Sequence, residues 1–242
     1  VMKRFGAALV FTEMVSANGL HYGGTATDEL LHSIPEERPL GVQLFGDDPK
    51  ILAEAARRVE AIADLIDLNC GCPVRKVVGS GAGSALLRDP AKVARIVAAV
   101  RQATTRPLTI KLRSGWDADT RNYLEVARLA VNEGVDAVTL HPRTRSQMFG
   151  GRADWNDIAS LKQAIAVPVI ASGDLFTAEA AVTVLEQTGC DALMVARGGY
   201  GNPWLVRQIL DRLAGRPEQH PTTRERLTVA RDVVPDDPER AR

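Results

Sequence analysis

Short apolar runs alternate with amphipathic segments along almost the whole chain, and this alternation constrains the fold more than any other feature. The apolar runs are Ala8–Phe11, Leu40–Leu44, Ala63–Leu68, Leu108–Leu112, Ala137–Leu140, Val167–Ala171 and Ala192–Val195. Short runs, several of them rich in Val and Ile, suit strands buried on both faces of a parallel sheet. Between them the period changes. Ile51, Leu52, Ala55, Ala56, Val59 and Ile62 recur at spacings of three and four, which is one face of a helix. Asp89 and Pro90 open a second helix, with the acid at the cap and the proline at the first helical position, followed by Val93, Ile96, Val97 and Val100. Further helices are expected over 121–132, 154–165, 177–187 and 203–213. Repeated strand-then-helix units imply parallel pairing through right-handed crossovers.

Two architectures meet that description, an open doubly wound sheet and a closed (β/α)8 barrel. The positions of the polar residues favour the barrel. Gln43, Asn69, Lys111, His141, Ser172 and Arg197 each fall at or just past the C-terminal end of an apolar run. An open sheet gathers its ligand groups at one switch point, whereas a barrel collects one from each strand around a rim. The expected fold is therefore α/β, a TIM barrel with seven of its eight strands visible. Residues 2–7 resemble the tail of a helix running into the first run, so the strand expected to be absent is the first. Residues 1–214 are expected to form the barrel domain, N-terminally incomplete. Residues 215–242 are expected to be a linker and the truncated start of a helical domain.

Composition narrows the function. Apolar residues make up 45% of the 242 residues and charged residues 25%, both ordinary globular values. Thirty basic residues balance thirty acidic ones, which argues against a dedicated nucleic-acid protein but leaves room for a local basic mouth. No apolar stretch approaches the roughly 18 residues of a membrane span, and no signal peptide is visible. Three cysteines, Cys70, Cys72 and Cys190, cannot all pair within one chain, so reduced thiols in a cytoplasm are expected. Cys70-Gly71-Cys72 has one intervening residue, which fits neither a zinc knuckle nor a thioredoxin motif, and no metal is expected.

Several residues stand out chemically. Cys72 lies between Gly71 and Pro73 just past a strand. A free thiol has a pKa of about 8.5, so at neutral pH it is mostly protonated and can act as an acid. The competing role is a packed core cysteine, which suits Cys70 better. The glycine-rich stretch Gly79–Ala85 reads as a mobile lid, a substrate loop or a phosphate cradle. Lys111 sits inside an apolar run, where it either meets an anionic ligand or closes an ion pair. His141 is either a structural residue or a site residue. With Arg113, Arg143 and Arg145 these side chains form a cationic mouth suited to a phosphate, an anionic cofactor or a nucleic-acid backbone. Ser172-Gly173-Asp174 and Ala196-Arg197 close the last two strands, where barrels commonly bind phosphate on backbone N–H groups.

Taken together these segments resemble the tRNA-dihydrouridine synthases, in particular the bacterial B-type enzymes. The likeness rests on Phe11–Met14, Gln43–Gly46, Leu68–Pro73, Gly81–Leu87, Lys111–Arg113, His141–Thr144, Ser172–Asp174, Arg197-Gly198 and Gly201–Trp204, and it extends over about residues 2–226. It implies a flavin-dependent barrel with FMN at the rim, NADPH as reductant and tRNA as substrate. Reduced flavin would deliver hydride to C6 of a uracil ring and a cysteine would protonate C5. Position by position, Cys72 matches the proton donor, while Gln43, Lys111 and His141 match flavin contacts. Ser172, Gly173, Asp174, Ala196 and Arg197 match the phosphate-binding turns. Asn69 and Arg143 match positions near the uracil, and Arg113 and Arg145 belong with the RNA-facing cations. A monomeric cytoplasmic protein is implied. The chain departs from the family pattern in three places: the first strand with its flavin-contacting turn, most of the C-terminal helical tRNA-binding domain, and Ala196 where many relatives carry glycine. Two other readings remain at this point, a flavin barrel enzyme acting on free pyrimidines or dihydroorotate, and an inactive remnant without flavin.

Overall fold

The computed structural model describes residues 1–233 of the chain. A 3-10 turn, Met2–Phe5, leads into β1 (Val10–Phe11) and β2 (Val15–Ser16), followed by the short helices α1 (Ala17–His21) and α2 (Thr25–Glu29). Next come β3 (Leu40–Phe45), α3 (Pro49–Val59), β4 (Leu65–Cys70), α4 (Arg75–Gly79), a 3-10 segment Gly83–Arg88 and α5 (Pro90–Arg101). The second half runs β5 (Leu108–Gly115), α6 (Tyr123–Asn132), β6 (Ala137–Thr144), α7 (Asn156–Ala164), β7 (Val169–Ser172), α8 (Ala178–Thr188), β8 (Ala192–Met194), α9 (Trp204–Leu213) and α10 (Thr223–Val233). Every pairing is parallel, in the order β1-β3-β4-β5-β6-β7-β8. The result is a curled parallel sheet with intervening helices, an α/β fold of the TIM-barrel type.

The first expected strand is split. β1 and β2 both pair with β3, at its start and at its end, so they share one position in the sheet. Among the described residues β8 and β1 do not pair, which leaves the sheet with two edges. The helices begin where the caps predict. Asp48 accepts from the N–H groups of Lys50 and Ile51, and Asp89 from that of Lys92, each followed by proline. Of the segment expected to begin another domain, α10 is described; residues 234–242 lie outside the described residues.

Strand alternation positions the site. On β5, Leu108, Ile110 and Leu112 are wholly buried in one core with Val93, Val97, Val126 and Ala127 of α5 and α6. The alternate residues Thr109, Lys111 and Arg113 therefore face the inside of the curl. The register sets Gln43 beside Asp67, Asp67 beside Thr109, Asn69 beside Lys111, and Lys111 beside Thr139. An apolar outer face and a polar inner face explain why these strands read as broken apolar runs.

Candidate active site

A hydrogen-bonded chain crosses the floor of the curl. Asp67 is fully buried and accepts from Thr109 Oγ1 at 2.5 Å and from Gln43 Nε2 at 2.7 Å. A carboxylate on that side fixes the amide of Gln43, so its Oε1 is left to accept from Asn69 Nδ2 at 2.8 Å. Asn69 donates its second proton to Met14 Sδ at 3.0 Å, and its Oδ1 accepts from the backbone N–H groups of Gly71 and Cys72 at 3.1 and 2.9 Å. One buried acid thus sets the orientation of two amides, and the second amide holds the Cys72 backbone. Sequence reasoning missed Asp67, although an acid inside an apolar strand was the signal that could have found it.

The glycine-rich stretch is not a lid. Ala82, Gly83 and Ser84 are buried, and Ser84 donates from its N–H and its hydroxyl to the Cys72 carbonyl at 3.0 and 2.9 Å. Gly83 has φ +61°, and a Cβ there would lie 2.7 Å from that carbonyl, so only glycine fits. Cys72 is held from its N–H side by Asn69 and from its carbonyl side by Ser84, with 9% of its surface exposed. Cys70, also buried, belongs to the main core, and burial pushes its thiol well above the usual range.

Two floor groups have no protein partner. Lys111 makes no hydrogen bond or ion pair among the described residues, and burial brings its ammonium down to about 8, against the opposing pull of Asp67. The hydroxyl of Thr139, its neighbour in register, is buried and unpartnered. Lys111 and Arg113 both lie within electrostatic reach of Cys72. Arg113 donates from Nε to the Gly71 carbonyl and from Nη1 to those of Thr144 and Met148, tying the cysteine loop to the loop after β6.

The β6–β7 corner is the opposite case. Arg143 uses all five donors: Nε on Gly150 O, Nη1 on His141 Nε2 and Asp174 Oδ1, and Nη2 on Gly151 O and Asp174 Oδ2. An arginine always donates, so His141 Nε2 accepts and the imidazole proton sits on Nδ1. Burial, reinforced by Lys111, Arg113, Arg143 and Arg197, holds His141 down to about 3 and therefore neutral. Burial alone would raise Asp174, but hydrogen bonds from Arg143 and the Ala153 N–H keep it below its usual value. Gly173 (φ +105°) and Asp174 (φ +58°) form a left-handed turn against His141. β7 pairs with β8, and Arg197 Nη2 lies 3.5 Å from Asp174 Oδ1, so the two turns expected to hold a phosphate are adjacent. Ala196 has φ −122° and ψ −100°, so its backbone is outside the left-handed region that favours glycine. The guanidinium of Arg145 lies over Trp116 and makes no hydrogen bond among the described residues.

Among the described residues no helix is long and apolar enough to cross a membrane, and no group of three His, Cys, Asp or Glu side chains could hold a metal. The profile of one protein family, described as dihydrouridine synthase (Dus), matches residues 1–236. The chain is 46% identical over 208 residues to tRNA-dihydrouridine synthase B of Pseudomonas aeruginosa, covering 86% of this chain and 63% of that protein. It is 42% identical over 234 residues to a probable tRNA-dihydrouridine synthase of Rickettsia prowazekii, covering 95% and 71%. With a probable tRNA-dihydrouridine synthase 1 of Synechocystis it shares 43% over 227 residues, 93% of this chain and 64% of that protein. The chain thus spans about two thirds of the length of these relatives.

Proposed function

The chain belongs to the dihydrouridine synthase family, and from that premise we propose that it reduces uridines in tRNA to 5,6-dihydrouridine. The observation that carries the reading is the cysteine held at both ends of its peptide unit beside an unpaired ammonium. Such a site suits proton delivery to one face of a ring whose other face meets a cofactor. The chemistry that FMN supplies when bound is hydride delivery to C6 of the uracil, with NADPH as the source of electrons. The residues present fit that group. Lys111 and Thr139 offer a cation and a hydroxyl without protein partners, and neutral His141 offers its Nδ1 proton. Gln43 retains one N–H and one lone pair beyond its bonds to Asp67 and Asn69. Ser172, Gly173, Asp174, Ala196 and Arg197 would hold the phosphate, mainly through backbone N–H groups.

Cys72 donates its thiol proton to C5. Asn69 fixes the Cys72 backbone, and Arg113 and Arg143 hold the surrounding loops, so all three serve the substrate by keeping the rim in place. Lys111 stabilises negative charge developing on a bound ring system. A uridine inside folded RNA must be extruded at a cost of a few kcal/mol, which a basic rim helps to offset. The test is mass-spectrometric detection of dihydrouridine in tRNA incubated with protein, FMN and NADPH, in the cytoplasmic pH range. Cys72→Ala should lower product formation by about 10²–10⁴-fold, the usual contribution of a positioned acid, and Cys70→Ala only slightly. Full yield from Cys72→Ala would remove the proton-donor role, and no product from the unaltered chain would remove the reading.

A further inference from the structure

Two arginines near the cysteine loop share one indole. The guanidinium carbons of Arg145 and Arg88 lie 4.7 and 5.0 Å from the ring centroid of Trp116. Neither side chain makes a hydrogen bond or an ion pair among the described residues, and Arg145 Nε is buried without an acceptor. The nearest carboxylates in sequence are directed elsewhere. Asp89 caps α5 at the Lys92 N–H and pairs with Arg95, while Asp117 accepts from Asp119 N, Thr120 N and Thr120 Oγ1. Two cations are thus held together with no counter-ion, in a chain where Arg38, Arg58, Arg101, Arg121 and Arg143 are all ion-paired.

The arrangement is rigid and connected to the reaction centre. Arg145 N donates to Gly115 O at 2.9 Å and Ser146 N to Trp116 O at 3.0 Å, which binds the two loops together. Arg88 ends the 3-10 segment in which Ser84 holds the Cys72 carbonyl, and Leu87 O accepts from Asn122 Nδ2 at 2.7 Å. We propose that Arg88, Trp116 and Arg145 form a clamp for a phosphodiester of the RNA strand beside the target uridine. This rests on the tRNA reading above and deepens it. An RNA strand fits better than a small anion because further exposed cations, with no ion pair among the described residues, follow the same strands: Arg75 and Lys76 at the start of α4 after β4, and Arg152 after β6. The indole already carries both cations in place of a stacked base, so the clamp presents charge and N–H donors, which suit phosphate oxygens.

The experiment measures binding of an unmodified tRNA transcript by fluorescence anisotropy across a salt series. Each neutralised phosphate contributes about 0.7–0.9 to the slope of log K against log salt. The R88Q/R145Q variant should lose about 1–2 of that slope and bind at least about tenfold more weakly, with R88Q alone giving part of the change. R88K/R145K should keep most of the slope, since it keeps the charge. Exposed Arg88 makes R88Q safe for folding, which a melting curve checks. Unchanged slope and affinity in R88Q/R145Q would overturn the clamp, as would failure of the unaltered chain to bind RNA. Intact RNA binding with a raised KM for NADPH would assign the cations to the dinucleotide instead and also overturn it. A clamp-dependent slope without any dihydrouridine formation would sustain the clamp while removing the reductase reading.

Discussion

The β6–β7 corner and the β4–β6 floor are both largely buried, both charged and both built on inward-facing strand residues, yet they end in opposite states. At the corner every donor of Arg143 has an acceptor, and the Asp174 carboxylate is saturated by Arg143, Ala153 and the nearby Arg197. At the floor the Lys111 ammonium and the Thr139 hydroxyl have no partner in the protein. Closed hydrogen bonding makes the corner a scaffold. Open hydrogen bonding suits the floor to a ligand, because an unmet buried polar group is costly until something meets it.

The largest effect belongs to the corner. Arg143→Ala would remove the buried guanidinium, leave half-buried Asp174 without its bidentate partner and release the carbonyls of Gly150 and Gly151. Removing one partner of a buried pair costs about 3–5 kcal/mol. Urea unfolding should show that loss, and Arg143→Lys should restore only part of it, since an ammonium cannot reproduce the planar fork. A loss under about 1 kcal/mol would break the comparison, because Arg143 would then be available to a ligand.

The sequence carried one of these states better than the other. Strand order, the rim and most site residues follow from period-two and period-three-to-four patterning, because burial writes that pattern directly into the chain. Hydrogen-bond closure leaves no such pattern. Arg113, Arg143 and Arg145 look alike as cations past strand ends, but two are committed to backbone carbonyls and one lies free over Trp116. The split of the first strand into β1 and β2 was likewise invisible, as Phe11 and Val15 are joined by a polar turn rather than a change of period. The glycine-rich stretch misled for a related reason. Glycine signals both flexibility and tight packing, and here Gly83 packs on Cys72.

The next effect lies at the floor and depends on pH. Lys111 falls from 10.5 to about 8 on folding, chiefly through burial. An anionic ligand needs the protonated form, so FMN affinity should be highest below about pH 8 and fall by up to about tenfold per unit above it. Flavin fluorescence titrations check this, and Lys111→Met should bind weakly with no such fall. The ligand-free chain has the opposite dependence. Between about pH 8 and 10.5 unfolded Lys111 holds more protons than folded, so its contribution to stability rises with pH in that window. Cys70, whose thiol is pushed up by burial, contributes an opposing slope, and the difference between the unaltered chain and Lys111→Met isolates the lysine.

Thr139→Val gives the smallest effect and the sharpest comparison. The substitution preserves shape and removes only the hydroxyl, whose buried oxygen has no protein partner. An unmet buried hydroxyl costs about 1–3 kcal/mol, so its removal should stabilise the ligand-free chain by about 1 kcal/mol. For a chain of this size that is a rise of about 2–4 °C in Tm. The same change at the corner, Ser or Thr removal from a closed network, would destabilise. If the hydroxyl meets a ligand, Thr139→Val should also weaken FMN binding, so stability and affinity move in opposite directions. A variant that loses stability and leaves FMN affinity unchanged would mean that Thr139 belongs to the scaffold, and the floor would then offer Lys111 alone.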